Sequence, residues 1–283
     1  GVLLHQMLGK LSHFPLDKIA LQSSDWVHLV SESARRAYAD RAEYLGDPAF
    51  NNIPLRALLD SNYLAQRAAS IDPKMATPSA QVKAGESLRP ESDETTHYII
   101  VDHKRNIVSA TTSLNGAYGS KTIAGDLGFL LNNTIDDFSL SPGIPNSYGL
   151  VGSEANAIAP GKRMLSSMTP TIVLRDGNPV LVAGTPGGAT IPTTVLQIVL
   201  HSLLYDLPAQ TAVAHPRFHH QWLPDYIQYE ESRLTKKMRR QLNRRGHELK
   251  VRKAYGRAEM VRILPDGTLE GGADPRGDDT VLG

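Results

Sequence analysis

The chain has 283 residues, of which 30 are Lys or Arg and 29 are Asp or Glu, so its formal net charge at pH 7 is +1. This near balance gives no indication of binding to nucleic acid or to an anionic membrane. The absence of cysteine excludes disulfides, thiolate chemistry and cysteine-based zinc sites, and no apolar run approaches the ~18–20 residues of a membrane span.

The first ninety or so residues are predicted to be mainly helical. Ser23-Ser24-Asp25 is a capping cluster, and the residues behind it are apolar or small at helical spacing. The predicted buried face consists of Trp26, Leu29, Val30, Ser33, Ala34, Ala37 and Tyr38. Gly46-Asp47-Pro48 ends this helix, and a second helix is predicted from Pro54 to about Ala69. Residues 71–93, which contain several prolines, are predicted to form a flexible connector.

From Thr96 onward the pattern changes to strands. One hairpin is predicted from residues 98–102 and 107–113, and another around the turn Asp176-Gly177-Asn178. The remaining predicted elements are strands at 129–131, 171–175, 179–183, 247–253 and 260–264, and helices at 193–204 and 236–245. Hairpins and helices in separate blocks predict an α+β fold in which helices cover two packed sheets.

Thr95 is the main candidate for chemistry, in the segment Glu94-Thr95-Thr96-His97-Tyr98. If the peptide bond after Glu94 is cut, the hydroxyl and the new α-amine of Thr95 lie on one residue. A terminal amine can act as the base that activates a threonine hydroxyl. Its reference pKa of ~7.7–8.0 leaves a useful fraction unprotonated near neutral pH. Taken alone, the segment fits an ordinary strand start equally well.

Several separated motifs occur in the order found in the γ-glutamyltransferases (γ-glutamyl transpeptidases), and the chain closely resembles that family over nearly its whole length. These motifs are Tyr38-Ala39-Asp40-Arg41 and the segments 44–48, 113–116, 130–138, 160–171, 184–188 and 214–224. The resemblance implies a self-cleaving N-terminal-nucleophile hydrolase with an αββα four-layer sandwich. Cleavage between Glu94 and Thr95 would divide it into residues 1–94, the end of the large-subunit segment, and 95–283, the small-subunit segment.

The resemblance also implies a role for particular residues. The catalytic set would be Thr95 as nucleophile, Ser113 as support for its amine, and Gly187 and Gly188 as backbone donors to an oxyanion. The substrate-binding set would be Asn115, Thr134, Asp137, Ser166 and Ser167. The first three would face the substrate ammonium and the two serines its carboxylate. Each residue taken singly also fits a turn, a cap or a strand end.

The chain departs from the family pattern at three points. Thr134 stands where members usually carry Glu or Gln, so a shorter hydroxyl would face the ammonium. Ala189-Thr190 replaces a common Ser-Arg pair. The family's arginine for the substrate carboxylate belongs to a long segment that precedes the position of Gly1, so we expect either a part of a longer chain or a shortened gene.

The implied function is cleavage and transfer of γ-glutamyl groups from glutathione and related amides, through a threonine ester, to water, amino acids or peptides. The resemblance implies no metal or organic cofactor, a heterodimer of the two cleavage products, and a periplasmic or extracellular location. Two alternatives stay open, a glutaryl- or cephalosporin-type side-chain acylase and a non-enzymatic relic that acts as a scaffold. Two weaker signals carry no function: His215, His219 and His220 lack an acidic partner pattern, and the basic helix lacks the interleaved aromatic residues of a nucleic-acid surface.

Overall fold

The computed structural model describes residues 1–21, 23–83, 96–147 and 149–283. The helices are α1 (Val2–Leu11), α2 (Ser24–Tyr44), α3 (Leu55–Leu58), α4 (Ser61–Ala69), α5 (Ile191–Leu203), α6 (Ala209–Ala214) and α7 (Lys236–Arg244). The strands are β1 (Thr96–Val101), β2 (Ile107–Thr112), β3 (Thr171–Arg175), β4 (Asn178–Gly184), β5 (Phe218–His219), β6 (Ile227–Glu230), β7 (Leu249–Arg252), β8 (Glu259–Ile263) and β9 (Leu269–Ala273).

Helix α2 forms where the sequence predicts it. The Ser23 hydroxyl accepts a hydrogen bond from the Trp26 amide at 3.2 Å and caps the first turn. The prediction of one buried face is too narrow, however, because every residue from 26 to 42 is buried. The polar face is covered by residues 70–83, to which Arg36 donates hydrogen bonds. Charged side chains are therefore buried on the helix face that periodicity assigns to solvent.

The segment that follows α2 differs from prediction in two ways. The predicted helix 54–69 is divided into α3 and α4, because the Asp60 carboxylate caps a new helix by accepting from the Asn62 amide at 2.9 Å. Residues 71–83 are packed against the protein and do not form a free connector. Ser79 is buried, and the Trp222 indole donates to the Ser79 carbonyl at 3.0 Å. Residues 84–93 of the predicted connector lie outside the described residues.

The strand half contains three sheets, namely the β1–β2 hairpin, a four-stranded sheet that it faces, and a small sheet of order β5-β6-β7. The predicted hairpins are confirmed as β1–β2 and β3–β4, and the second belongs to an antiparallel sheet of order β3-β4-β8-β9. Asp176 and Gly177 take φ of 52° and 80°, as a tight hairpin turn requires. The predicted strand at 129–131 is wrong, because it amounts to a single bridge between Ile123 and Leu130.

The layers stack in the order sheet, sheet, helices. The β1–β2 hairpin packs on β4 and β8, and α5 and α6 cover the opposite face of the larger sheet. Helices α1 and α2 extend this helical layer, and one core joins Met7 and Trp26 to Leu181 and Val195. The α+β class is confirmed. The described residues supply one helical layer and both sheets of the expected sandwich, and no described helix has the length and apolar character needed to cross a membrane.

Candidate active site

Residues Glu94 and Thr95, the predicted cleavage point and nucleophile, lie outside the described residues. The described chain resumes at Thr96, the first residue of β1. Thr96 pairs with Thr112, the last residue of β2, and Ser113 follows directly. The predicted support residue therefore lies at the same end of the hairpin as the residue after Thr95.

The start of β1 lies directly over the end of β4. His97 is buried on the inner face of the hairpin, and a methyl group at Gly184 would collide with its imidazole ring. Burial lowers the pKa of His97 to about 4, so the ring is neutral at pH 7, and Nδ1 lies 2.9 Å from the Thr111 hydroxyl. Gly184 thus admits the ring and lets the two sheets approach closely.

The turn between β4 and α5 contains the predicted oxyanion glycines. Gly187 and Gly188 have φ of 131° and 50°, in the region that glycine adopts without steric cost. The Thr190 amide and hydroxyl both donate to the Gly187 carbonyl, at 2.9 and 2.7 Å, and the Tyr38 hydroxyl of α2 donates to the Ala189 carbonyl. Thr190, one of the departures from the family pattern, therefore fixes this turn.

The turn after β2 holds Asn115 next to the segment that carries Thr134. Asn115 is only 5% exposed and has φ of 75°. Its amide donates to the Ser113 hydroxyl at 2.9 Å, and its side-chain Nδ2 donates to the Asn133 carbonyl at 3.2 Å. Gly116 in turn donates to the Asn133 side chain at 2.9 Å. The structure thus brings Ser113, Asn115 and Thr134 into one connected loop region.

Thr134 and Asp137 occupy one short 3-10 turn, Thr134–Asp137. The Thr134 hydroxyl donates to the Asn132 side chain at 2.6 Å, so its proton is used locally. Burial raises the pKa of Asp137 to about 6; the Arg41 charge opposes this rise and the Asp136 charge adds to it. Asp137 is therefore mainly a carboxylate at pH 7 and can attract a cation.

The two predicted carboxylate-binding serines lie in an irregular segment before β3. Ser166 is exposed and accepts from the Met168 amide at 3.1 Å. Ser167 is half-buried and lies 3.3 Å from Nη2 of Arg41 in α2. Buried Asn156 joins this segment to the Asp137 turn, because its side chain accepts from the Leu165 amide at 3.0 Å and donates to the Asp137 carbonyl at 2.8 Å.

Three residues of this site escape sequence reasoning. Tyr38 and Arg41 belong to a motif used only as a mark of resemblance, yet their i, i+3 spacing places them on one side of α2. From there Tyr38 reaches the glycine turn and Arg41 reaches Ser167. Asn156 carries no sequence signal, because its two partners are backbone atoms of residues 9 and 19 positions away.

In the 214–224 motif His219 and His220 are buried and His215 is half-buried, and all three have hydrogen-bonding neighbours. His219 lies 2.7 Å from both the Thr193 hydroxyl and Oε1 of Gln221. Burial lowers the pKa of His219 to about 3 and that of His220 to about 4, so both are neutral at pH 7. Their contacts give them a structural role in the packing of α5.

One cluster in the described part of the chain has metal-ligand types close together, namely His28, Glu32 and His247. Glu32 pairs with Arg35 and Arg36 at 3.0 and 2.7 Å. His28 contacts His247 at 2.7 Å and the Asp72 carbonyl at 2.8 Å. These contacts already engage ring nitrogens of the histidines and the Glu32 carboxylate. The cluster is therefore best described as a buried polar network that connects α2 to residues 70–77.

Two sheets face each other, the start of β1 lies over the strand that leads into the glycine turn, and a loop region carries an ionised carboxylate. These features and the similar solved structures define the class as an N-terminal-nucleophile hydrolase fold. The family model described as Gamma-glutamyltranspeptidase matches residues 1–283. The chain therefore belongs to the gamma-glutamyltranspeptidase family.

Relatives within and near this family agree with the assignment. A glutathione hydrolase proenzyme of Escherichia coli K12 is 44% identical over all of this chain and 49% of its own length. An acylase ACY 1 proenzyme of Pseudomonas sp. SE83 is 32% identical over all of this chain and 48% of its own length. A solved chain of a mutant Helicobacter pylori gamma-glutamyltranspeptidase superposes with a TM-score of 0.63 and 44% identity, over 64% of this chain and all of its own. The chain spans about half the length of the curated relatives it matches.

Proposed function

We propose that the protein is a self-processing γ-glutamyl hydrolase and transferase in which Thr95 is the nucleophile. One observation carries this proposal: β1, which begins one residue after Thr95, starts over Gly184, three residues before the glycine turn. This supports a position for a chain that begins at Thr95 near backbone N–H groups able to stabilise an oxyanion.

Maturation and turnover would use the same hydroxyl. In maturation it attacks the Glu94 carbonyl, so that the acyl group moves from the Thr95 nitrogen to its oxygen and the nitrogen takes up a proton as the free amine. Water then hydrolyses the ester, which releases the Glu94 carboxylate and regenerates the Thr95 hydroxyl. In turnover that amine takes the hydroxyl proton as the oxygen attacks the γ-carbonyl of the donor. The donor's amine leaves with a proton, and water or an acceptor amine then resolves the γ-glutamyl ester.

The donor's α-carbon carries an ammonium and a carboxylate, which require opposite poles in the pocket. Asp137, with Asn115 and Thr134 beside it, would accept the ammonium, and Ser166 and Ser167 would donate to the carboxylate. Hydrogen bonds to charged groups contribute about 1.5–3 kcal/mol each, so the two poles together favour an amino-acid head. We further propose glutathione as donor, amino acids or peptides as acceptors, a heterodimer of the two cleavage products and a periplasmic or extracellular location.

A side-chain acylase is the second candidate, and the Thr134 contact favours it. The Thr134 hydroxyl is neutral and short and is already bonded to the Asn132 side chain, so it would hold the ammonium more weakly than the Glu or Gln that the family resemblance implies at this position. An acylase would accept a glutaryl group, which lacks the ammonium.

Turnover of γ-glutamyl-p-nitroanilide and glutaryl-p-nitroanilide by the complete gene product tests both candidates. We expect faster release from the γ-glutamyl compound and, after acid quenching, a γ-glutamyl adduct on the peptide that begins at Thr95. Faster release from the glutaryl compound would support the acylase. A folded protein that turns over neither compound would support the relic.

A further inference from the structure

Arg41 places a buried cation beside Ser167, at the predicted carboxylate pole of the donor pocket. Arg41 belongs to α2 and is only 5% exposed. Burial lowers the pKa of Arg41, and the charges of Tyr38 and Asp137 oppose that effect. A guanidinium stays protonated in proteins, since its reference pKa exceeds 12. A positive charge is therefore fixed here.

The contact with Ser167 determines what the serine hydroxyl can do. A guanidinium nitrogen only donates, so at 3.3 Å the Ser167 oxygen must accept from Arg41. The hydroxyl proton of Ser167 is then directed to another acceptor. A hydroxyl that accepts from a cation becomes a stronger donor, and a carboxylate is an acceptor only. Ser167 is thereby suited to a substrate carboxylate.

The same cation acts on Asp137, the predicted ammonium pole. Two effects disfavour the ionised form of Asp137, its burial and the negative charge of the neighbouring Asp136, and Arg41 alone opposes them. Without Arg41, both remaining effects would act in the same direction. The carboxylate would then protonate at higher pH and lose its attraction for an ammonium.

We propose that Arg41 is a positioning residue of the donor pocket, because its contact with the Ser167 oxygen directs the hydroxyl proton of Ser167 toward the α-carboxylate of the donor. This inference rests on the proposed function, since it assumes a donor with an amino-acid head. It also explains how two neutral serine hydroxyls can hold a carboxylate, because a cation that contacts the serine strengthens its hydroxyl as a donor.

The test compares the binding of L-glutamate and glutarate by calorimetry between pH 5 and 8, with the complete gene product. Both ligands carry the two carboxylates and only L-glutamate carries the ammonium. The ratio of their dissociation constants therefore reports the interaction of Asp137 with the ammonium, whereas the titration of the Thr95 amine affects both ligands and cancels. In the wild type we expect the preference for L-glutamate to rise as pH passes about 6. In Arg41→Gln the midpoint should move up by about 1 pH unit, with about a fivefold loss of preference at pH 6.

Two variants separate the charge from packing. Arg41→Lys keeps the charge and should return the midpoint to its wild-type pH. Arg36→Gln removes another buried cation of α2, one that contacts Glu32 and Ser70, and should leave the midpoint unchanged. A wild type that prefers L-glutamate, together with an Arg41→Gln midpoint equal to the wild-type one, would overturn the effect of Arg41 on Asp137. A wild type without any preference would overturn the proposed donor pocket itself.

A double-mutant cycle with Arg41→Lys and Ser167→Ala tests the contact with Ser167 itself, whether or not Arg41→Gln folds. Lysine is too short to reach the Ser167 oxygen, so each single change should weaken glutarate binding, Ser167→Ala by about tenfold. Because both changes remove the same oriented hydroxyl, the double variant should bind within twofold of Ser167→Ala. Independent, multiplicative losses would overturn the inference.

Discussion

The glycine turn and the substrate-head loops are built in different ways. The turn at Gly187 lies between a strand and a helix, and nearly every residue from 181 to 191 is buried. The loops at 113–147 contain only turns and short 3-10 segments, and they expose large apolar side chains such as Tyr118 and Leu127. The core therefore fixes the turn, whereas side-chain hydrogen bonds to the backbone fix the loops.

This difference separates two kinds of function. A turn held by the core suits the chemical step, in which a small displacement of a donor impairs the rate. Loops held by Asn115, Asn133 and Asn156 can change sequence without disturbing the core, which suits recognition of different acyl groups. We expect substitutions in the turn to lower kcat and substitutions in the loops to alter KM or substrate preference.

The largest effect is expected for Gly187→Ala. The new methyl group would lie 2.7 Å from the Thr190 hydroxyl, at a φ of 131° that disfavours side chains. The turn must shift, and loss of one oxyanion donor lowers kcat by about 10²–10³. Steady-state kinetics per mole of processed protein would measure this. Gly177→Ala is the control, because its φ is also positive but its surroundings are open; equal losses in both variants would contradict the distinction.

A smaller, selective effect is expected for Asp137→Asn. The neutral amide keeps the shape of the side chain but loses the charge that attracts the ammonium, so kcat/KM for γ-glutamyl-p-nitroanilide should fall by about 10–100-fold. Hydrolysis of the glutaryl compound should change much less. Asp126→Asn, at an exposed position in the same loop region, serves as control. A matching fall for both substrates would count against Asp137 as the ammonium pole.

Asn156→Ala should alter affinity more than rate. The change removes both hydrogen bonds that join the Asp137 turn to the serine segment, so we expect KM to rise several-fold while kcat stays within about twofold. Unfolding should become easier by about 1–3 kcal/mol, because buried backbone groups lose their partners. Denaturant unfolding and kinetics measure the two effects. Asn106→Ala, which removes a bond within the exposed hairpin turn, should leave KM unchanged.

The smallest effect concerns the pH dependence of stability in the buried region. The folded pKa values of His219 and His220 lie at about 3 and 4, below the unfolded value of ~6.5. Their contribution is therefore fully present above pH 6.5 and is lost as pH falls toward 4. The melting temperature should fall by several degrees over this range, and less in His219→Gln. An equally steep fall in that variant would exclude His219 as a cause.

Much of the fold follows from local sequence, and the exceptions have identifiable causes. The β1–β2 and β3–β4 hairpins and α5 form as predicted, because turn residues and apolar patterns agree there. Helix α1, helix α6 and strands β5, β6 and β9 were not predicted, since their short segments depend on neighbours distant in sequence. The burial of Glu32 and Arg35 could not be predicted, because it results from coverage by residues 70–83.

In the site, too, some residues can be predicted from the sequence and others depend on contacts between distant segments. Gly187, Asp137 and the two serines are identifiable from the sequence only through the family resemblance. The roles of Tyr38 and Arg41 depend on where α2 crosses the turn and the serine segment, which periodicity does not contain. The consequence of Thr190 likewise became clear only from its hydrogen bonds to the Gly187 carbonyl.

Intact-mass analysis of the complete gene product tests the central proposal most directly. If Thr95 is the self-processing nucleophile, the wild type should separate into one piece that ends at Glu94 and another that begins at Thr95, and Thr95→Ala should remain whole and inactive. An uncut wild type that still hydrolyses γ-glutamyl-p-nitroanilide, or a Thr95→Ala variant that is cut and active, would contradict the account.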